Sequence, residues 1–248
     1  MEWESELEAS LTKSVRELPN EVGILFSGGL DSSLIAYLSK KEGKEVRLYA
    51  CGSDGSHDSI WATIAAKSMD MKVNFLSEHE NDILEGIRSI KQITGQTSAL
   101  SILIELPLYF TTKSSTDHKL ATGQGADELF LGYKKYETKD TSKEDLHRVV
   151  NYVVPMEQKI ASYNGKELLY PYLHESVVDT ASRIPYDLKV QNGSRKYILR
   201  STASRIKLDM GIVWKQKKAA QYSSGFKDAV ARMAKRKGKN VHDFINEL

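Results

Sequence analysis

Along residues 2–17 apolar side chains recur at helical spacing (Trp3, Leu7, Leu11, Val15), and Pro19-Asn20 ends the segment. The period then shortens. Residues 22–26 form an apolar, strand-like run, Ser27-Gly28-Gly29 makes a turn, and an amphipathic helix is predicted from about Asp31 to Lys41. The alternation repeats with a strand over 46–51, a Gly/Ser/Asp loop through His57, a helix over 58–69, a strand over 73–76 and a helix over 81–93. Residues 99–114 read as an apolar helix, 119–122 as a strand, and 126–132 as a short helix entered through Gly123-Gln124-Gly125. This order predicts an α/β fold with a doubly wound parallel sheet, which binds ligands beyond the carboxyl ends of its strands. Both glycine-rich turns fall there.

Beyond Thr141 the pattern predicts helices alone, over 143–163, 173–183, 194–208 and 225–237, with no further strand. The expected organisation is an N-terminal helical extension (1–20), an α/β core (21–140) and a helical C-terminal region (141–248). No internal repeat or low-complexity linker interrupts it.

Composition works mainly by exclusion. A chain of 248 residues, 40% apolar and 27% charged, has the balance of an ordinary globular protein. Its formal net charge of +2 gives no reason to expect nucleic acid as a partner. The basic run Lys235-Arg236-Lys237-Gly238-Lys239 reads as a solvated helix end. Apolar runs such as 99–110 reach about half of a bilayer span and residues 1–20 are acidic and polar, so no membrane segment or leader is expected and the setting is read as cytoplasmic. Cys51 is the only cysteine, which excludes a disulfide framework or a multi-cysteine metal site within the chain; on an apolar strand it is a small buried hydrophobe. The six histidines are scattered without ligand spacing, and no zinc site is assigned.

Three segments carry chemistry. In Ser27-Gly28-Gly29-Leu30-Asp31-Ser32-Ser33 the glycines allow a tight turn that brings backbone amides close to an anion, and the helix start adds positive partial charge. Hydroxyls of Ser27, Ser32 and Ser33 suit a phosphate. Asp31 would repel a bare phosphate and fits only if it holds a bridging divalent cation, hence Mg2+. The Walker spacing is missing, so transfer of the γ-phosphate is not indicated. The bland alternative is a Ser/Gly turn with Asp31 as a helix cap. The second segment, Gly123-Gln124-Gly125-Ala126-Asp127-Glu128-Leu129-Phe130-Leu131-Gly132-Tyr133, places Asp127 beyond another strand, where it could share the metal with Asp31. An acidic first helical turn is its alternative. The third, Trp214 to Gly225, offers lysines that could neutralise charge on a transferring phosphorus centre, or form a solvated basic stretch. Glu105, in an apolar helix before Pro107, is costly to bury unless paired; it either finds a partner or faces a ligand pocket.

Together these segments resemble the synthetase domain of asparagine synthetases, within the ATP-pyrophosphatase superfamily of adenine nucleotide alpha hydrolase-like fold. Tyr170-Pro171-Tyr172-Leu173 is similar to that family's Val-Pro-Phe-Leu segment, and Arg195-Lys196-Tyr197-Ile198-Leu199-Arg200 to its Lys-Xaa-Xaa-Leu-Arg stretch. The resemblance runs from about Glu21 to Gly225 and implies attack of a substrate carboxylate on the α-phosphorus of ATP. Pyrophosphate leaves, and ammonia or another amine attacks the acyl-adenylate. By motif, Ser27, Gly28, Gly29, Ser32 and Ser33 would cradle phosphate, Asp31 and Asp127 would bind magnesium, and Gly123 and Gln124 would line the nucleotide pocket. Leu25 and Cys51 would meet adenine through their backbone. Lys217 matches the catalytic lysine, with Lys218 as the adjacent alternative, and the C-terminal region would complete the site. Self-association as a homodimer is expected from the same resemblance.

The acceptor site departs from the pattern. No glutaminase domain with a leading cysteine is seen, so ammonia, an amine or a separate glutaminase subunit is expected to supply nitrogen. Gln124 stands where the family has Glu, and an amide cannot take a proton as a carboxylate does. Leu103 replaces an arginine, and Leu169 and His174 stand where Arg and Asp usually lie, so the acceptor need not be aspartate. Two other readings compete: a ligase that adenylates a tRNA or nucleotide base, and a non-catalytic module that keeps the ATP loop without acceptor chemistry.

Overall fold

The computed structural model describes residues 2–52, 57–138, 140–215 and 225–248. Helix α1 (Glu2–Arg16) leads into β1 (Glu21–Leu25), α2 (Leu30–Lys41), β2 (Glu45–Gly52), α3 (His57–Ser68) and β3 (Val73–Ser77). Next come α4 (Glu80–Thr94), α5 (Ala99–Ser114), β4 (Lys119–Ala121) and the single turn α6 (Ala126–Leu129). The strands form one sheet in the order β3-β2-β1-β4-β5, every pair parallel, with β5 spanning Glu167–Leu169.

Period-two alternation sends neighbouring residues of β2 to opposite faces: Leu48 and Ala50 join one core, Tyr49 and Cys51 the other. The first core packs α1, α2 and α3 against the sheet, and the second packs α4 and α5. Both faces of the sheet are therefore covered, as a parallel sheet requires. The predicted doubly wound α/β fold is observed.

Past Thr141 the structure corrects the expectation of helices alone. Helix α7 (Ser142–Arg148) continues through a π turn (Val149–Val153) into α8 (Val154–Tyr163), the wider turn accommodating Pro155, which cannot donate to the ladder. Strand β5 then adds to the sheet beside β4, where Thr122 donates to the Leu169 carbonyl. Three residues are too few to show strand periodicity. A second missed pairing joins β6 (Val190–Gln191) to β7 (Ser194–Arg195) across Asn192-Gly193, both at positive φ, as a two-residue hairpin demands. That hairpin delays the helix predicted from Ser194, so α11 runs only over Tyr197–Arg205. Helices α9 (Glu175–Arg183), α10 (Tyr186–Lys189) and α12 (Met210–Val213) complete the first core, and Phe226–Arg236 and Val241–Asn246 complete the second. The helix predicted over 126–132 stops at Leu129 because Leu131 is left-handed.

Lys235 and Arg236 occupy an exposed helix end, where Arg236 pairs with Glu80, in keeping with a solvated basic run. Among the described residues no helix is long and apolar enough to cross a membrane.

Candidate active site

The carboxyl ends of β1, β2 and β4 point one way, and the predicted loops gather there. After β1 the chain turns at Gly28, with φ +69, so closely against α3 that a side chain there would come within 2.9 Å of Trp61. The Trp61 indole N–H donates to the Gly28 carbonyl at 2.7 Å and fixes the turn. Ser32 Oγ accepts from the Ser27 amide, and Ser27 Oγ from the Gly29 amide. Helix α2 begins with no side-chain cap at Gly29, which leaves its first turn without an acceptor from the cap residue, as an anion site would need. Ser27 is exposed and Ser32 buried in the turn. Ser33 lies wholly inside, its hydroxyl without a hydrogen-bond partner among the described residues.

Asp31, in the first turn of α2, and Asp127, in α6, meet on one buried cation. Lys196 Nζ stands 2.6 and 2.7 Å from the two Asp31 oxygens and 2.7 Å from Asp127 Oδ1. The lysine side chain is 4% exposed. Its backbone is left-handed at φ 55, a strain on the order of 1–3 kcal/mol that such an ion-pair network offsets. Gly132 leaves room for the network, since a Cβ there would fall 1.9 Å from Asp127 Oδ1 and 2.3 Å from Lys196 Cε. Gly123 packs directly on Asp31. The hydroxyl of Tyr172 donates to the Asp31 carbonyl at 3.1 Å, which explains why the Tyr170–Leu173 segment belongs with the loops.

The donor set suits the magnesium that the resemblance implies. Three carboxylate oxygens, from the first turns of α2 and α6, converge on the position that Lys196 Nζ fills. Mg2+, which characteristically takes one or two carboxylates with phosphates and water for the rest, would be held by Asp31 and Asp127 once the lysine gives way. Among the described residues no group of three or more metal-ligating side chains forms an all-protein cage.

Lys217 and Lys218 lie outside the described residues. The chain leading to them is held at the first loop: Arg200 donates to the carbonyls of Val213 and Lys215, and Lys215 Nζ sits 3.4 Å above the Trp61 ring.

Beside the loops opens a cavity of about 240 Å3. One wall consists of strand ends and their turns, including Leu25, Ser27, Cys51, Thr122 and Gln124. The other is helical, with Ile104, Glu105, Pro107, Leu108 and Thr111 from α5 and Glu157 from α8. Leu25, Cys51 and Gln124 thus line one cavity, with burial pushing the Cys51 thiol well above its usual range. Glu105 faces the cavity. Burial raises its pKa to about 7, and Glu157 is raised well above its ordinary value by burial and by Glu105.

Three positions that depart from the family pattern lie elsewhere. Leu103 is buried in the second core, and Leu169 packs on the first. His174 is no site residue: its Nδ1 caps α9 by accepting from the Ser176 amide, while Nε2 lies 3.0 Å from Glu17. Two residues of this region were missed by the sequence reading. Lys196 lay inside a quoted segment, but with Arg195 beside it nothing marked which cation turns inward. Glu157 closes the mostly apolar run 149–156, the same kind of setting that singled out Glu105, and this signal was not used.

The asparagine synthase family model matches residues 2–159 and 139–243. A putative glutamine-hydrolyzing asparagine synthetase of Methanocaldococcus jannaschii is 32% identical over 98% of this chain and 53% of its own length. Asparagine synthetase B of Escherichia coli is 28% identical over 89% of this chain and 45% of its own. The chain spans about half the length of the curated relatives it matches. Among solved structures, an NMN synthetase from Francisella tularensis superposes with a TM-score of 0.49 at 14% identity, over 99% of this chain and 92% of that one. With the paired loops, their aspartates and the match along most of its length, the chain belongs to the asparagine synthase family.

Proposed function

We propose that this chain adenylates a carboxylate with ATP, releases pyrophosphate, and passes the acyl group to ammonia or an amine. Family membership supports ATP-dependent amidation or ligation. The observation that carries the finer reading is the convergence of Asp31 and Asp127 beside an uncapped helix start. In this reading the turn at 27–29 and the first amides of α2 hold the phosphates, and Leu25 and Cys51 flank the base. Asp31 and Asp127 hold Mg2+, which when bound would screen phosphate charge and orient the pyrophosphate as it leaves. Lys196 keeps the two carboxylates converged before nucleotide arrives. Lys217, or Lys218 beside it, stabilises negative charge as the carboxylate oxygen joins the α-phosphorus and the bond to the β-phosphate oxygen breaks. Aspartate is one candidate acceptor, ammonia or a glutaminase partner one nitrogen source, and the cytoplasm the expected setting.

The test is magnesium-dependent release of AMP and pyrophosphate from ATP, with aspartate and ammonium present or absent, in wild type, Asp31→Ala and Lys217→Ala. Release in wild type, stimulated by both substrates and abolished in both variants, is the expected result. ATP binding without AMP formation across a panel of carboxylates and amines would leave a nucleotide-binding module and sink the synthetase reading.

A further inference from the structure

The helical wall of the cavity has a chemistry that phosphate and magnesium binding leave unused. Glu105 is 4% exposed and lines the cavity, and no hydrogen bond or salt bridge reaches its carboxyl among the described residues. Glu157 lines it too, with Oε2 buried and lacking a hydrogen-bond partner among the described residues. The Tyr170 hydroxyl beside Glu157 is likewise buried without a partner of good geometry. No lysine, arginine or histidine lines the cavity among the described residues. An uncompensated buried carboxylate costs several kcal/mol, so such a pair is retained either protonated or for a cation that arrives with a ligand.

We propose that the α5–α8 wall binds the protonated amino group of the nitrogen nucleophile, a small primary ammonium, with Glu105 and Glu157 as its counter-ions. The inference rests on the synthetase reading and specifies that reading's second substrate. Charge sets the sign, because a substrate carboxylate placed between two glutamates would be repelled. Size and polarity narrow the class. At about 240 Å3 the cavity lies below the roughly 300–1,000 Å3 of ordinary ligand pockets, and Ile104, Pro107 and Leu108 offer an alkyl group better company than a magnesium ion that keeps its waters.

The pair also accepts the protons that amidation must shed. One proton passes from the ammonium to a glutamate oxygen and frees the nitrogen lone pair. That lone pair forms the N–C bond at the acyl carbon while the C–O bond to AMP breaks, its electrons leaving with AMP. The second proton goes from the new amide nitrogen to the other carboxylate. Gln124, on the opposite wall, can hydrogen-bond to the nitrogen but cannot take its proton.

Calorimetric titration of the whole chain with ammonium, methylammonium and propylammonium tests this, with and without magnesium and a non-hydrolysable ATP analogue. Buffers of different ionisation enthalpy count the protons released. Wild type is expected to bind the primary ammoniums and release protons as the glutamates ionise. Glu105→Gln/Glu157→Gln is expected to bind them at least about tenfold more weakly, with no proton release and unchanged affinity for the analogue. Equal ammonium binding in wild type and double variant, preference for aspartate or magnesium in this cavity, or displacement of methylammonium by the analogue would each overturn the proposal. If the double variant does not fold, Glu105→Gln alone and the wild-type proton count decide. Retained analogue binding with no ammonium uptake sinks this inference alone, whereas loss of analogue binding in wild type removes the synthetase reading beneath it.

Discussion

Two pairs of carboxylates, Asp31 with Asp127 and Glu105 with Glu157, lie at the same end of the sheet, and they are furnished differently. Asp31 and Asp127 share Lys196 at 2.6–2.7 Å, held by a left-handed backbone and a glycine that leaves them room. Glu105 and Glu157 share a cavity with no cation among the described residues and no hydrogen-bond partner for Glu157 Oε2. A pair with its own counter-ion is a finished electrostatic unit that stays converged without ligand. A pair lacking one either holds protons or waits for charge from outside. The contrast separates the part of the site that keeps a standing geometry from the part that reads a substrate.

The largest effect should come from breaking the finished pair. Lys196→Met keeps the length of the side chain and leaves two carboxylates facing each other, at an expected loss of about 3–5 kcal/mol in chemical denaturation. Millimolar Mg2+ should then restore part of that stability in the variant and less in wild type, where in the absence of nucleotide Lys196 already fills the position between the carboxylates. A variant as stable as wild type would show that Lys196 is not the compensating charge.

The unfinished pair should respond to pH in the opposite sense to an ordinary salt-bridged acid. Folding raises the Glu105 pKa from 4.5 to about 7, so the folded chain holds that proton more tightly than the unfolded one. The associated stability is present in full below pH 4.5, is lost as pH rises to about 7, and stays lost above; Glu157 acts in the same direction. The loss from Glu105 is on the order of 3 kcal/mol. Urea unfolding at pH 5 and pH 8 should show wild type weaker at pH 8, with Glu105→Gln narrowing the gap. A gap that Glu105→Gln leaves intact would place the titration elsewhere.

How far the sequence announced these two regions follows from how local their signals are. The Ser27–Ser33 loop and the Gly123–Tyr133 turn each combine a strand end, glycines and an acid within a few residues, so their meeting could be expected. The doubly wound sheet was legible because β1, β2 and β3 are apolar runs separated by helices. Strand β5 was not, since its three residues gain their meaning only from pairing with β4. Asn192-Gly193 did carry a hairpin signal, but its flanking strands have two residues each. Lys196 and Glu157 escaped for another reason. Lys196 is paired with Asp31 and Asp127, and Glu157 lines a cavity with Glu105, and these partners lie more than fifty residues away in all three cases.

A smaller perturbation tests the space around the finished pair. In Gly132→Ala the new methyl must displace Asp127 or Lys196, since it would lie 1.9 Å and 2.3 Å from their atoms. Crowding of this kind typically costs about 1–3 kcal/mol, and here ATP-analogue affinity should fall with stability because the carboxylate itself moves. Loss of stability with unchanged affinity would mean that the backbone yields and the pair stays in place.

The smallest effects sharpen the comparison most, because the two regions each contain one tyrosine in the same short segment. Tyr172 is fully buried, its ring edge-on to Phe130 at 6.2 Å, and its hydroxyl donates to the Asp31 carbonyl at 3.1 Å. Removing that oxygen in Tyr172→Phe keeps the ring packing and loses one hydrogen bond, an expected cost of about 1 kcal/mol. The Tyr170 hydroxyl is buried without a partner of good geometry among the described residues, so Tyr170→Phe should be neutral or slightly stabilising. Melting temperatures of the two variants, read side by side, therefore measure whether the polar groups of each region are satisfied in the free protein. Equal losses would show that Tyr170 does donate to Glu157, and the glutamate wall would then be closer to a finished unit than the comparison holds.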